Sequence, residues 1–119
     1  MSDWRVTVRT GPKVEKERHG ALEAALDAVE MHARATANTE RRAPVDVRVR
    51  RYEAGDQVAV RVELRGRGVA AGVDVRGDGA VQAWSGRFMR RAIAPEGDET
   101  VYEALRRTVS AGAGIRPAL

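Results

Sequence analysis

VAVRVELRGRGVAAGVDVRGDGAVQAWS, residues 58–85, is the stretch that decides the fold. Val58, Val60, Val62 and Leu64 recur at every second position, as do Val69, Ala71, Val73 and Val75, and then Val81 and Ala83. Period two marks strands with one buried face. Gly66-Arg67 and Gly77-Asp78-Gly79 separate the runs, and glycine supplies the positive φ that tight hairpin loops require. The segment therefore reads as an antiparallel meander.

Working outward, Val45, Val47 and Val49 alternate as well, and Gly55-Asp56 offers one more hairpin loop. Downstream, residues 86–94 continue the last strand if Gly86 forms a bulge, with the facing of Phe88 and Met89 open. Near the N-terminus Trp4, Val6 and Val8 alternate with Arg5, Thr7 and Arg9, a half-buried strand closed by Gly11-Pro12. Pro12 suits the first turn of a helix, where its missing N–H costs nothing.

A helix is expected from about Lys13 to Arg42, ending at Ala43-Pro44, with a break near Gly20 as an option. Leu22, Leu26, Val29, Ala33 and Ala37 form its apolar stripe, and Ala21, Ala24, Ala28 and Ala35 flank it. After the turn at Pro95-Glu96-Gly97-Asp98, Asp98 caps a second helix. Val101, Leu105 and Val109 face inward there and Arg106-Arg107 outward; Gly112 and Gly114 end it, and 115–119 form a loose tail. The expectation is an α+β fold, a single domain over 1–119, in the order β-α-β-β-β-β-α with both helices on one face of the sheet.

Composition narrows the function classes. The chain has 119 residues, enough for one core without staples. It contains no cysteine, so disulfides, thiol catalysis and thiolate metal sites are excluded. No apolar run reaches the ~20 residues of a membrane span, and the first residues lack the apolar stretch of a secretory signal, so a cytoplasmic location is expected. Net charge is 21 − 17 = +4, which favours acidic partners. Only Lys13 and Lys16 among the 21 basic residues are lysine. An arginine bias beside so much alanine, glycine and valine fits GC-rich codon usage, which weakens the charge signal.

Loop length fixes strand register. With Gly55-Asp56 as a two-residue loop, Arg48 meets Glu63, Asp46 meets Arg65, and Arg50 meets Arg61. With Gly66-Arg67 as the next loop, Arg61 meets Gly72; with Gly77-Asp78-Gly79, Gly72 meets Trp84. Arg50, Arg61, Trp84 and Tyr52 then cluster on the face away from the helices. Facing arginines are destabilising, so a bound anion would explain them, and aromatic faces could stack on bases of single-stranded RNA. The blander reading is that Trp84 shields the bare backbone of Gly72 and the arginines are solvated.

The other candidates are weaker. His19 and His32, on one helix, point about 140° apart and cannot share a metal; His19 reads as an ion-pair partner of Glu15 or Glu23. Asp78 fits a turn and Asp98 a cap, and no serine sits in a nucleophile elbow. No metal site, cofactor or catalytic residue is implied. The alanine flank of the first helix suggests a partner helix or a subunit interface. The element order is similar to that of small RNA- and ribosome-binding α/β domains. Residues 6–22 and 98–105 resemble the first strand and last helix of ribosome hibernation factors, without a shared diagnostic motif. The sequence alone points to a non-enzymatic binding or assembly module, self-associating through the open sheet face or the alanine flank. RNA or another anionic ligand is the alternative partner.

Overall fold

The structure is a computed structural model, and it describes residues 3–42 and 58–112. Among these residues the order is β1 (Trp4–Thr10), β2 (Lys13–His19), α1 (Leu22–Arg42), β3 (Val58–Gly66), β4 (Val69–Arg76), β5 (Val81–Ser85), β6 (Arg91–Ile93) and α2 (Val101–Gly112). The strands form one antiparallel sheet in the order β2-β1-β3-β4-β5-β6. The expected α+β fold, with helices packed on one sheet face, is what is found.

Alternation sorts the side chains. Trp4, Val6, Val8, Val60, Val62, Leu64, Ala71, Val73, Val75, Ala83 and Ile93 form the apolar face. Against it lie Leu22, Leu26, Val29 and Ala33 of α1, and Tyr102, Leu105 and Val109 of α2. Thr100 and Glu103 form a capping box at the start of α2: the Glu103 N–H donates to Thr100 Oγ1 at 3.1 Å, and the Thr100 N–H donates to Glu103 Oε1 at 2.9 Å. Thr100, not Asp98, is therefore the cap.

Three expectations need correction. Residues 13–19 are the edge strand β2, joined to β1 by the turn at Gly11-Pro12, and α1 begins only at Leu22. An edge strand exposed on both faces carries no apolar alternation, and Lys13-Val14-Glu15-Lys16-Glu17-Arg18 mimics a charged helix surface. Residues 86–90 turn back instead of extending β5, so that β6 pairs with it, Ser85 opposite Arg91. The β3–β4 register is shifted by two: the loop is Arg67-Gly68, both at positive φ, and Gly66 stays in the strand, opposite Val69. A Cβ on Gly66 would lie 2.7 Å from the Trp4 ring, so that close approach needs glycine there.

The β4–β5 register is as read from the sequence, with Val75 opposite Val81 and Gly72 opposite Trp84. The expected strand at Val45–Val49, the loop Gly55-Asp56, the stop at Ala43-Pro44, Gly114 and the tail 115–119 lie outside the described residues. Both edges of β3 are nevertheless taken, by β1 and β4. Arg61 thus has Arg9 and Asp74 as its strand neighbours; Glu63 sits between Thr7 and Gly72.

Candidate functional site

The sheet face away from the helices is laid out in three rows. At one end Arg18, Arg5 and Arg65 stand abreast on β2, β1 and β3. The middle row runs Lys16, Thr7, Glu63, Gly72, Trp84 and Ala92. The third is Val14, Arg9, Arg61, Asp74 and Gln82. Together with Arg76, which bonds Gln82, and Arg90, which leans in from the β5–β6 turn, the face carries eight cations (Arg5, Arg9, Lys16, Arg18, Arg61, Arg65, Arg76, Arg90). Asp3, bound by Arg67, lines the hollow at the arginine end, and within the rows there are two carboxylates, Glu63 and Asp74.

Those carboxylates lie low and are already engaged. Asp74 accepts two hydrogen bonds from Arg61, at 2.9 and 3.1 Å, and a third from Trp84 Nε1 at 3.0 Å. The bond to Asp74 holds the Arg61 guanidinium more firmly protonated than usual, against the opposing effect of its partial burial. Glu63 is 5% exposed and meets Arg9 at 3.3 Å and Arg90 at 3.8 Å. Arg5, Arg18, Arg65 and Lys16 have no ion-pair partner among the described residues. Arg5, Thr7, Arg9, Lys16, Arg61, Glu63, Arg65 and Arg90 line a groove of about 460 Å³ on this face.

Of the cluster expected from the sequence, Arg61 and Trp84 are brought together; Arg50 and Tyr52 lie outside the described residues. Trp84 is on the open face, as expected, yet only 4% exposed. Its ring lies over Gly72, where a Cβ would come within 2.7 Å of it, and Arg90 stands 4.9 Å from the ring centroid. Arg61 stands 5.9 Å away. The indole therefore shields bare backbone and supports two arginines by cation–π contact. It offers no free face to a base. The row Arg18-Arg5-Arg65 escapes a sequence reading because residues 13–19 carry a helix-like pattern; alternation in β1 alone places Arg5 and Arg9 outward.

The histidines also come out differently. His19 on β2 and His32 on α1 both approach Glu17 Oε1, at 3.1 and 3.2 Å. Burial works to raise the Glu17 carboxyl, but the His19 hydrogen bond and the closeness of both imidazoles prevail and hold it below the ordinary value. The His32 contact is poorly aligned and leaves its buried Nε2 without a proper hydrogen bond. Among the described residues no group of three His, Asp or Glu side chains could hold a metal ion.

No family model, no curated protein and no solved structure matches this chain. The site must speak through its own chemistry.

Two further places were candidates. A hollow of about 540 Å³ lies between Arg34 and Asn38 of α1, the β4–β5 loop and the start of α2. Most of its polar groups are engaged: Arg34 bonds Glu30, Asp78 accepts from the Ala80 N–H, and Thr100 caps α2. The alanine flank divides, with Ala28 in the core and Ala21, Ala24 and Ala35 exposed. No helix among the described residues is long and apolar enough to cross a membrane.

Proposed function

We propose that this protein binds nucleic acid by its phosphate backbone, across the open face of the sheet. The observation that carries the reading is the row Arg18-Arg5-Arg65, three like charges on neighbouring strands; the carboxylate that lines the same hollow, Asp3, is already bound by Arg67 at 2.6 Å. Adjacent strands lie about 4.8 Å apart, and like charges directly opposite destabilise a sheet. A polyanion laid across the row removes that penalty and releases its own counterions. Arginine adds planar, forked donors suited to phosphate oxygens.

Self-association through the open face, part of the other expectation from sequence, is opposed by the same charges. Two copies joined face to face would bring eight cations against eight. Two β2 edges continuing one sheet about a two-fold axis would pair residues of the same parity. Registers centred on Lys16 or Glu17 set like charges together, Lys16 on Lys16 with Glu15 on Glu17, or Glu17 on Glu17 with Lys16 on Arg18; a register centred on Glu15 sets Glu15 on Glu15 but matches Lys13 with Glu17 on either side.

Fluorescence anisotropy of a labelled single-stranded RNA oligonucleotide at about 50 and 200 mM salt tests the proposal. Three phosphate contacts give a log–log slope near −2, a loss of roughly 20-fold across that range. Arg65→Glu should weaken binding and flatten the slope. Binding that is absent, or that ignores both salt and Arg65→Glu, overturns the proposal.

A further inference from the structure

The β5–β6 turn carries the most exposed large apolar side chains of the described residues. Phe88 is 97% exposed and Met89 75%. Neither is in reach of the core, and Arg87, Arg90 and Arg91 flank them with no acid nearer in sequence than Glu96. Isolated apolar residues on a surface are ordinary; a whole phenyl ring held out beside a methionine between arginines is not.

The turn that presents this ring is well specified. Gly86 has φ +125°, and a Cβ there would collide with the Met89 carbonyl oxygen, so only glycine lets the chain reverse so tightly. The Gly86 N–H donates to the Ala70 carbonyl at 2.9 Å, anchoring the base of the turn to β4. Arg90, at its far end, is held by Trp84 and Glu63. The tip is thus fixed at both ends while its apolar residues face solvent.

Position completes the case. The turn leaves β5 at Ser85, opposite Ala71, and the next residue, Ala70, is opposite Arg65. Phe88 therefore projects from the same end of the sheet as Arg65, Arg5 and Arg18. Arg90 belongs both to the turn and to the lining of the groove. A strand whose phosphates lie on the arginine row can bring a base to the ring.

Resting on the nucleic-acid reading of the face, we infer that Phe88 is a base-stacking side chain that makes the face selective for single-stranded over duplex nucleic acid. A duplex keeps its base faces inside the stack and can use only the phosphate contacts, whereas an unpaired base can lie on the ring. An anionic membrane would meet the same turn chemistry, but Arg5, Arg61 and Glu63 line a groove, which admits a chain and not a planar headgroup layer.

Anisotropy titrations of full-length protein with a single-stranded RNA oligonucleotide and with its duplex separate the outcomes. Phe88→Ala should weaken single-strand binding by roughly 5- to 150-fold, leave duplex binding and the salt slope unchanged, and leave the melting temperature unchanged because the ring touches no core. Phe88→Trp should keep single-strand affinity, and its exposed indole should be quenched on binding. If the parent protein binds single strands and Phe88→Ala binds them equally well, the stacking inference falls while the arginine face stands. If the parent binds neither oligonucleotide, both fall. Phe88-dependent binding to phosphatidylserine-containing vesicles, with oligonucleotide affinity untouched by Phe88→Ala, overturns the inference in favour of a membrane contact.

Discussion

The two layers of this protein handle charge in opposite ways. On the helix side the charged groups that join the elements are matched. Arg106 of α2 bonds Glu30 and Asp27 of α1, each at 2.7 Å, Arg34 takes the other Glu30 oxygen at 2.7 Å, and Arg107 grips Glu99 at 3.0 Å. On the open side of the sheet the rows hold eight cations and two carboxylates, and the acid beside the end row, Asp3, is taken by Arg67. Among the described residues the excess of positive charge is therefore concentrated on one surface. Net charge understates a face whose cations are segregated.

The two faces of the same strands differ as sharply in what they stabilise. The covered face is apolar and nearly dry: Val6, Val62, Leu64, Val73 and Val75 are fully buried. The open face also buries groups, among them Glu63, Thr7 and Trp84, but under arginine stems and hydrogen bonds. Stability should therefore depend mainly on the first face and ligand binding on the second.

That division can be broken at four points. Leu64→Ala, on the covered face, should cost about 2–5 kcal/mol in chemical unfolding, the largest effect of the set. Asp74→Ala, on the open face, leaves Arg61 and the Trp84 N–H without their acceptor; a loss of about 1–3 kcal/mol is expected, with Asp74→Asn recovering part of it. Should Asp74→Ala prove as damaging as Leu64→Ala, the open face would be structural and its charge a by-product.

Glu30 tests the matched helix layer. Burial works to raise its carboxyl, but the bonds from Arg106 and Arg34 outweigh that and hold it below the ordinary 4.5. The folded state thus binds fewer protons than the unfolded one. The stabilisation is present above pH 4.5 and fades as pH falls through the lowered folded value. Glu30→Gln should lower stability near pH 7 by about 1 kcal/mol and make the decline in melting temperature on acidification shallower. The smallest effect belongs to Arg5→Gln, which relieves repulsion from Arg18 and Arg65: stability should hold or rise by a few tenths of a kcal/mol, while oligonucleotide affinity falls. A clear loss of stability instead would mean that the row is not strained by like charge.

How far the sequence could be read follows from where burial leaves a trace. Strands β3, β4 and β5 each have one dry face, and their alternation is visible. So are the inward residues of α2, and the Gly72–Trp84 pairing that a three-residue glycine loop fixes. β2 is wet on both sides and leaves no such trace, so it was read as helix; with it went the arginine row and the meeting of His19 with His32 at Glu17. Gly66-Arg67-Gly68 allows two loop placements, and the choice is made by the Trp4 ring lying on Gly66, a contact between distant segments that no local pattern carries. Phe88 was visible in the sequence, but its facing was not, because only the reversal at Gly86 determines it.

The bare Gly72 gives the molecule an unlabelled reporter. Because nothing rises from that position, the Trp84 indole lies flat there, its N–H tied to Asp74 and its ring beneath Arg90. Any guest that draws the Arg90 side chain toward itself must uncover one side of that ring, so occupancy of the groove should register as a change in native emission, with Trp4 across the sheet as the unmoved reference.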